Sequence, residues 1–320
     1  MSMITFPVPS TTTSRFAVAA EHVPHNLTDL LLQSPAGAFE AHMAGRLGSP
    51  QLQVRREELA CLRWDPMRVK AVHPDQRQAG WAFHHAEEFA VVNSFAPITD
   101  QPRAVQVARA AAYALAAATG GVAADLITGH ILASPTSERT SFVLADHWLG
   151  DALPPFRANG RCTAPEPERD PEGVNGCSCV CLRTRGLRRF GLPELQITDV
   201  ACPHDLAALN VLRTTARHLL TSHWSWLATG PADGTRTISA ALHLTETDFN
   251  DFWGSTRREH LTHPTPFEAR LTLVTPRLLE VGPPDDFEGT INDWLWGDTL
   301  PLGLYDVLSS PADIPLPKAA

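Results

Sequence analysis

The sequence predicts an α+β fold: two related sheet-plus-helix units in tandem, followed by an acidic C-terminal extension. Three observations predict it. Short apolar runs of strand length alternate with two long Ala/Leu-rich helical stretches. A Pro-rich segment without apolar period, 151–176, separates two such sets. From Glu280 to the end, eight acidic residues stand against Lys318 alone. The boundaries that follow are 1–150 for the first unit, 151–176 for a linker, 177–279 for the second unit and 280–320 for the extension.

In the first unit, "LACLRWDPM" (59–67) is apolar and strand-like. "HPDQRQAGWAFHHAE" (73–87) places Pro in its first turn and then helix formers. "EFAVVNSFAP" (88–97) is a continuous apolar run closed by Pro, the pattern of a buried strand. Asp100 stands where an N-cap is expected before the helix "QPRAVQVARAAAYALAAAT", and Gly120-Gly121 closes it. "VAADLI" and "GHILA" read as short strands joined at Thr128-Gly129. The N-terminal 50 residues are expected to pack as an extension.

In the second unit, "CSCVCLRT" and "PELQITDV" read as strands flanking the turn "RGLRRFG". "CPHDLAALNVLRTTARHLLTSHW" carries Leu206, Leu209, Leu212, Ala216, Leu219 and His223 at three-to-four spacing, an amphipathic helix. "TRTISAALHL" and "FEARLTLVT" complete the strands. "TETDFNDFW" is a short helix opened by Thr245 with Asp248 in a capping position. The extension holds Trp294, Trp296 and Tyr305 among prolines and glycines, and is expected to be ordered only by docking on the body.

Composition excludes several functions. With 43% hydrophobic and 19% charged residues the chain can bury a core and is not disordered. Only Lys70 and Lys318 are lysines among 26 basic residues, a bias that reflects a GC-rich bacterial genome. The net charge of −9 places −7 after residue 279, and that acidic surface disfavours nucleic acid. The opening residues lack a basic and apolar leader, and "AVQVARAAAYALAAATGG" carries Arg109 and too much alanine to span a bilayer. A cytoplasmic protein with reduced cysteines is expected.

The stretch "NGCSCVCLRTRGLRRFG" (175–191) carries the most chemistry. On an extended strand Cys177, Cys179 and Cys181 share one face and spread over about 13 Å, too far to hold one ion. A buried strand is therefore the expectation. Were the segment a loop, Cys162, Cys202 and His204 are further ligands for a metal or thiol site. Arg183, Arg185, Arg188 and Arg189 surround Gly186 and splay from a turn. They suit a small anion, a partner, or the chain's own acidic tail.

Other candidates are bland. "HHAEE" (84–88) straddles a helix-to-strand junction, and "HLTH" (260–263) precedes Pro264-Thr265-Pro266. No nucleophile elbow, Walker A loop, dinucleotide fingerprint or C-x-x-C motif occurs. The segments "CLRTRGLRRFGLPELQITDV" and "AAAYALAAATGGVAADLITGHIL" resemble pieces of uncharacterised bacterial cytoplasmic α+β families, a resemblance that implies a fold type and no activity. The expected function is a non-enzymatic, cofactor-free module that binds another protein or its own copy, through the arginine turn and Asp293, Trp294 and Trp296. The alternatives are a metal- or thiol-dependent enzyme at Cys177, Cys179 and Cys181, and a small-anion sensor at the arginine turn.

Overall fold

The computed structural model describes residues 2–72, 74–132, 138–152, 177–230, 234–254 and 266–296. They form an α+β chain that divides into two units. One comprises Pro9–Phe142 with Arg189–Gly191; the other comprises the described residues of Met1–Val8, Val143–Arg188 and Leu192–Ala320. The division differs from the expected one: residues 2–8 and 143–150 belong with the later sequence. The reason is strand pairing, since β1 (Met3–Pro7) adds to a strand far along the chain, Met3 opposite Ser239 and Pro7 opposite Thr235.

The Pro9–Phe142 unit has a five-stranded antiparallel sheet built from β2 (Thr11–Ala20), β3 (Gln53–Glu58), β4 (Glu88–Pro97), β5 (Val122–Asp125) and β6 (His130–Ile131). Its order is β3-β4-β2-β5-β6. The expected strand 88–97 is β4, and its apolar run has the expected cause: Phe89, Ala90, Val91 and Val92 are all buried, on both faces. On one face Ala17, Phe89, Val91, Ala124 and Ile131 pack with Phe83 of α3 (Arg77–His84). Trp64 closes that cluster edge-on to Phe89, ring centroids 5.3 Å apart. The helix α4 (Arg103–Thr119) packs on β2 and β4 and ends at Gly120 in the left-handed conformation, φ 63°.

Three expectations for this unit are corrected. Residues 59–67 are not a strand. The strand is the preceding β3, an edge strand whose exposure lets it be the polar "QVRREE". Asp100 is not the cap of α4, whose N-cap is Pro102; its carboxylate takes the fork of Arg46 on α2 (Glu40–Arg46) at 2.6 and 3.1 Å. The N-terminal 50 residues are no extension, because β2 is the central strand of the sheet. Between β2 and β3 the chain adds α1 (Leu27–Gln33) and α2.

The second unit holds a six-stranded mixed sheet. Its strands are β7 (Gly150–Ala152), β8 (Val180–Arg185), β9 (Glu194–Val200), β11 (Ala241–Leu244), β12 (Phe267–Thr275) and β13 (Leu278–Gly282), in the order β11-β12-β13-β9-β8-β7. Only β13 and β9 run parallel. The expected strand 235–244 is two, because the chain leaves one sheet for another at buried Ala240: β10 (Thr235–Ser239) pairs with β1, and β11 with β12.

The long helix α5 (Asp205–Ala228) packs on β8 and β9, burying Leu209, Leu212, Ala216, Leu219 and His223 as their spacing predicts, while Leu206 is only half-buried. α6 (Glu246–Phe252) packs on α5 and opens with the expected capping box of Thr245 and Asp248. The acidic stretch begins inside an interior strand, β13, and goes on to α7 (Ile291–Trp296). Among the described residues no helix is long and apolar enough to cross a membrane.

Candidate metal centre

Antiparallel pairing explains how distant cysteines meet. Val180, the first residue of β8, lies opposite Val200, the last of β9. The residues just before β8 therefore face those just after β9. Before β8 the chain is not yet a strand, so Cys177 and Cys179 are free of the alternation that would spread them. After β9, Cys202 opens a one-turn 3-10 helix, Cys202–His204, with Pro203 in its first turn, that leads into α5. The turn is pinned from outside, because Asn292 Oδ1 of α7 accepts the Ala201 N–H at 2.7 Å.

The result is a group of three sulfurs, those of Cys177, Cys179 and Cys202, all within 4.8 Å of one another. The Sγ atoms of Cys177 and Cys202 are 3.5 Å apart, and the Cys202 N–H donates to Cys177 Sγ at 3.2 Å. All three residues are half-buried thiols. Tetrahedral ligation at about 2.3 Å per sulfur sets neighbouring sulfurs about 3.8 Å apart. The group thus has the spacing of a thiolate metal site before any ion enters. An N–H donor to a ligand sulfur is the kind of outer contact that orients such ligands. His204, buried at 2%, shares the turn with Cys202, although its ring is not one of the three members of the group.

The expectation of a buried strand carrying all three of Cys177, Cys179 and Cys181 is therefore overturned. Only Cys181 lies within β8, and it is on the exposed side, while Val180, Leu182 and Thr184 are buried. Its thiol is pushed up, first by partial burial and then by Glu280 and Asp199, with Arg183 offsetting only part. It stays protonated at neutral pH and takes no part in the group. Sequence reasoning names Cys202 and His204 as further ligands were the segment a loop; what it misses is that strand pairing brings Cys202 to the Cys177/Cys179 couple at the open end of one hairpin. Cys162 lies outside the described residues.

The arginine turn has a different construction from the expected one. Its backbone N–H groups converge as an anion-binding concavity, but the chain fills it. Glu194 accepts from the Gly186 N–H at 3.0 Å, from those of Leu187 and Arg188 at 3.3 Å, and from the Thr184 hydroxyl at 2.8 Å. Arg189 is wholly buried against Asp125 at 2.7 Å. Arg183, Arg185 and Arg188 are exposed, and none of these side chains has a hydrogen bond or ion pair among the described residues.

Asp293 and Trp294 are structural. Asp293 accepts from the Thr290 N–H and hydroxyl at 2.8 Å, capping α7. Trp294 is buried, stacked on Phe267 with centroids 4.8 Å apart, and its indole N–H reaches Glu268 O at 3.0 Å. Trp296 ends α7. Of the histidines, His84 bonds the Val69 carbonyl at 2.8 Å, and 260–263 lie outside the described residues. Compared with known proteins, the chain matches no family model, no curated protein and no solved structure.

Proposed function

We propose that the protein is a zinc-binding, non-catalytic module of the cytoplasm, with Cys177, Cys179 and Cys202 as thiolate ligands and His204 as the fourth. The observation that carries this reading is the convergence of three sulfurs from the two ends of a hairpin. Zinc accepts a closed Cys3His shell, and a closed shell is structural where an open one is catalytic. The ion would tie the start of β8 to the start of α5, so its binding free energy would be folding free energy of this unit. The reducing cytoplasm keeps such thiols available.

Elemental analysis of untagged protein purified under reducing conditions tests it. Stoichiometric zinc is expected in the natural chain, with loss of most of it in Cys177→Ser and in Cys202→Ser, and retention in Cys181→Ser. His204→Ala is expected to weaken zinc 10- to 1000-fold while leaving the thiolates able to bind. Chelation should lower the thermal midpoint. Protein that stays metal-free with added zinc, or variants that keep the ion, would sink the reading.

A second reading, recognition of a partner, is favoured by the exposed and unpaired Arg183, Arg185 and Arg188 on the hairpin that the ion would brace. The occupant with matching charge that the sequence itself supplies is the acidic stretch of a second copy, residues 280–320.

A further inference from the structure

Three buried arginines invite comparison. Arg109 and Arg189 each face a buried carboxylate, Glu138 at 2.6 Å and Asp125 at 2.7 Å. Arg236, on β10 and only 5% exposed, faces none among the described residues. Its Nη2 donates to Ser222 Oγ at 2.8 Å and its Nη1 makes a long 3.5 Å contact to Leu219 O. The guanidinium carbon lies 5.9 Å from the Trp226 ring centroid. A guanidinium has five N–H donors, so neutral acceptors leave donors spare and the charge uncompensated. Burial alone pulls this side chain below the usual guanidinium range, down to about 10.

Arg236 also lines a cleft of about 340 Å³ between α5 and the β10–β11 segment. Leu219, Ile238 and Leu242, all buried, give it an apolar wall. His218 and His243 line it too, held by Asp248 at 3.3 Å and Glu268 at 3.4 Å. Asp248 is itself pulled below the usual carboxylate range. Burial, its largest single influence, pushes it up, but hydrogen bonds from His218 and Thr245 outweigh that.

We propose that this cleft binds a small monocarboxylate with an apolar body, its carboxylate on the Arg236 fork and its hydrocarbon against Leu219, Ile238 and Leu242. A planar guanidinium matches a carboxylate two bonds at a time, and the ligand supplies the counter-charge that the fold omits. The volume sits at the small end of ligand pockets. The carboxylates of Asp248 and Glu268 disfavour a second negative charge on the ligand, so mono-anions bind better than dianions such as phosphate. The cleft and the sulfur group share no residue, so this inference stands apart from the zinc reading.

The test titrates zinc-supplemented full-length protein with hexanoate and benzoate, and with hexanol and inorganic phosphate as comparators, by calorimetry and thermal shift. Both carboxylates should bind and raise the thermal midpoint, whereas hexanol and phosphate should bind at least tenfold more weakly. Arg236→Gln should weaken the carboxylates at least tenfold. Because that residue is buried, Ala241→Trp provides a variant at an exposed lining position that leaves the guanidinium intact and fills the cleft. It should abolish binding while keeping the unliganded midpoint. No shift with either carboxylate at millimolar concentration, or natural affinity in Ala241→Trp, overturns the proposal. Preference for phosphate overturns the ligand class.

Discussion

Single carboxylates set much of this protein's polar architecture, and Glu88 shows how. It accepts the Val23 N–H at 2.7 Å and an Arg56 Nη2–H at 2.5 Å. The backbone hydrogen bond is the largest influence holding it below the ordinary glutamate range; partial burial opposes, and Arg56 and His22 reinforce. A depressed folded value means stability present above the unfolded value, about 4.3, and lost as pH falls through the folded one. Glu88→Gln should therefore lower the urea midpoint at pH 7 and leave it nearly unchanged at pH 2. Equal losses at both pH values would show that Glu88 acts through packing rather than charge. Much of this was illegible in sequence: Glu88 and Val23 are remote in the chain, and only the sheet makes them neighbours.

At the scale of elements, the hairpin β8–β9 combines the arginine turn, Glu194 and the sulfur group. Gly186 holds φ 133°, where side-chain-bearing residues are strained, and a Cβ there would lie 2.4 Å from the Trp148 carbonyl oxygen. Gly186→Ala should cost about 3 kcal/mol or more of stability, read from chemical denaturation. It should also reduce zinc content, because the register that joins Val180 to Val200 begins at this turn. An unchanged denaturation midpoint would mean that the turn relaxes without strain. The sequence marked Gly186 as a turn but not its carboxylate, since four donors on one acceptor is a property of a folded loop.

For the whole molecule, the informative quantity is charge distribution. The last 41 residues carry −7 while the other 279 sum to −2. The described acids do not meet the arginine turn: Glu280 accepts from Gln196 and Thr198, and Asp285 pairs with Arg270. Under the proposed self-association, Arg183, Arg185 and Arg188 take the acids of a second copy. Sedimentation should show concentration-dependent association at low ionic strength, weakened at 0.5 M salt because exposed pairs are screened. The triple substitution R183E/R185E/R188E should abolish it. A chain that is monomeric at every concentration and salt removes the self-association reading.

The sequence by itself determined the local elements whose signal lies within one stretch. The α+β class, β4 with its unbroken apolar run, α4 stopped at Gly120, α5 with its leucine stripe and the Thr245–Asp248 cap were all legible. These follow from periodicity and capping, which need no distant partner. Only the tertiary structure decided what depends on pairing. β2 became the centre of its sheet, β1 joined β10, and Cys177 and Cys179 met Cys202 rather than aligning with Cys181. Arg189 found Asp125, and Arg236 was left facing a cleft. The physical reason is common to all of them: strand register and burial are set by contacts between residues far apart in the chain, and local sequence carries no record of which strand lies alongside.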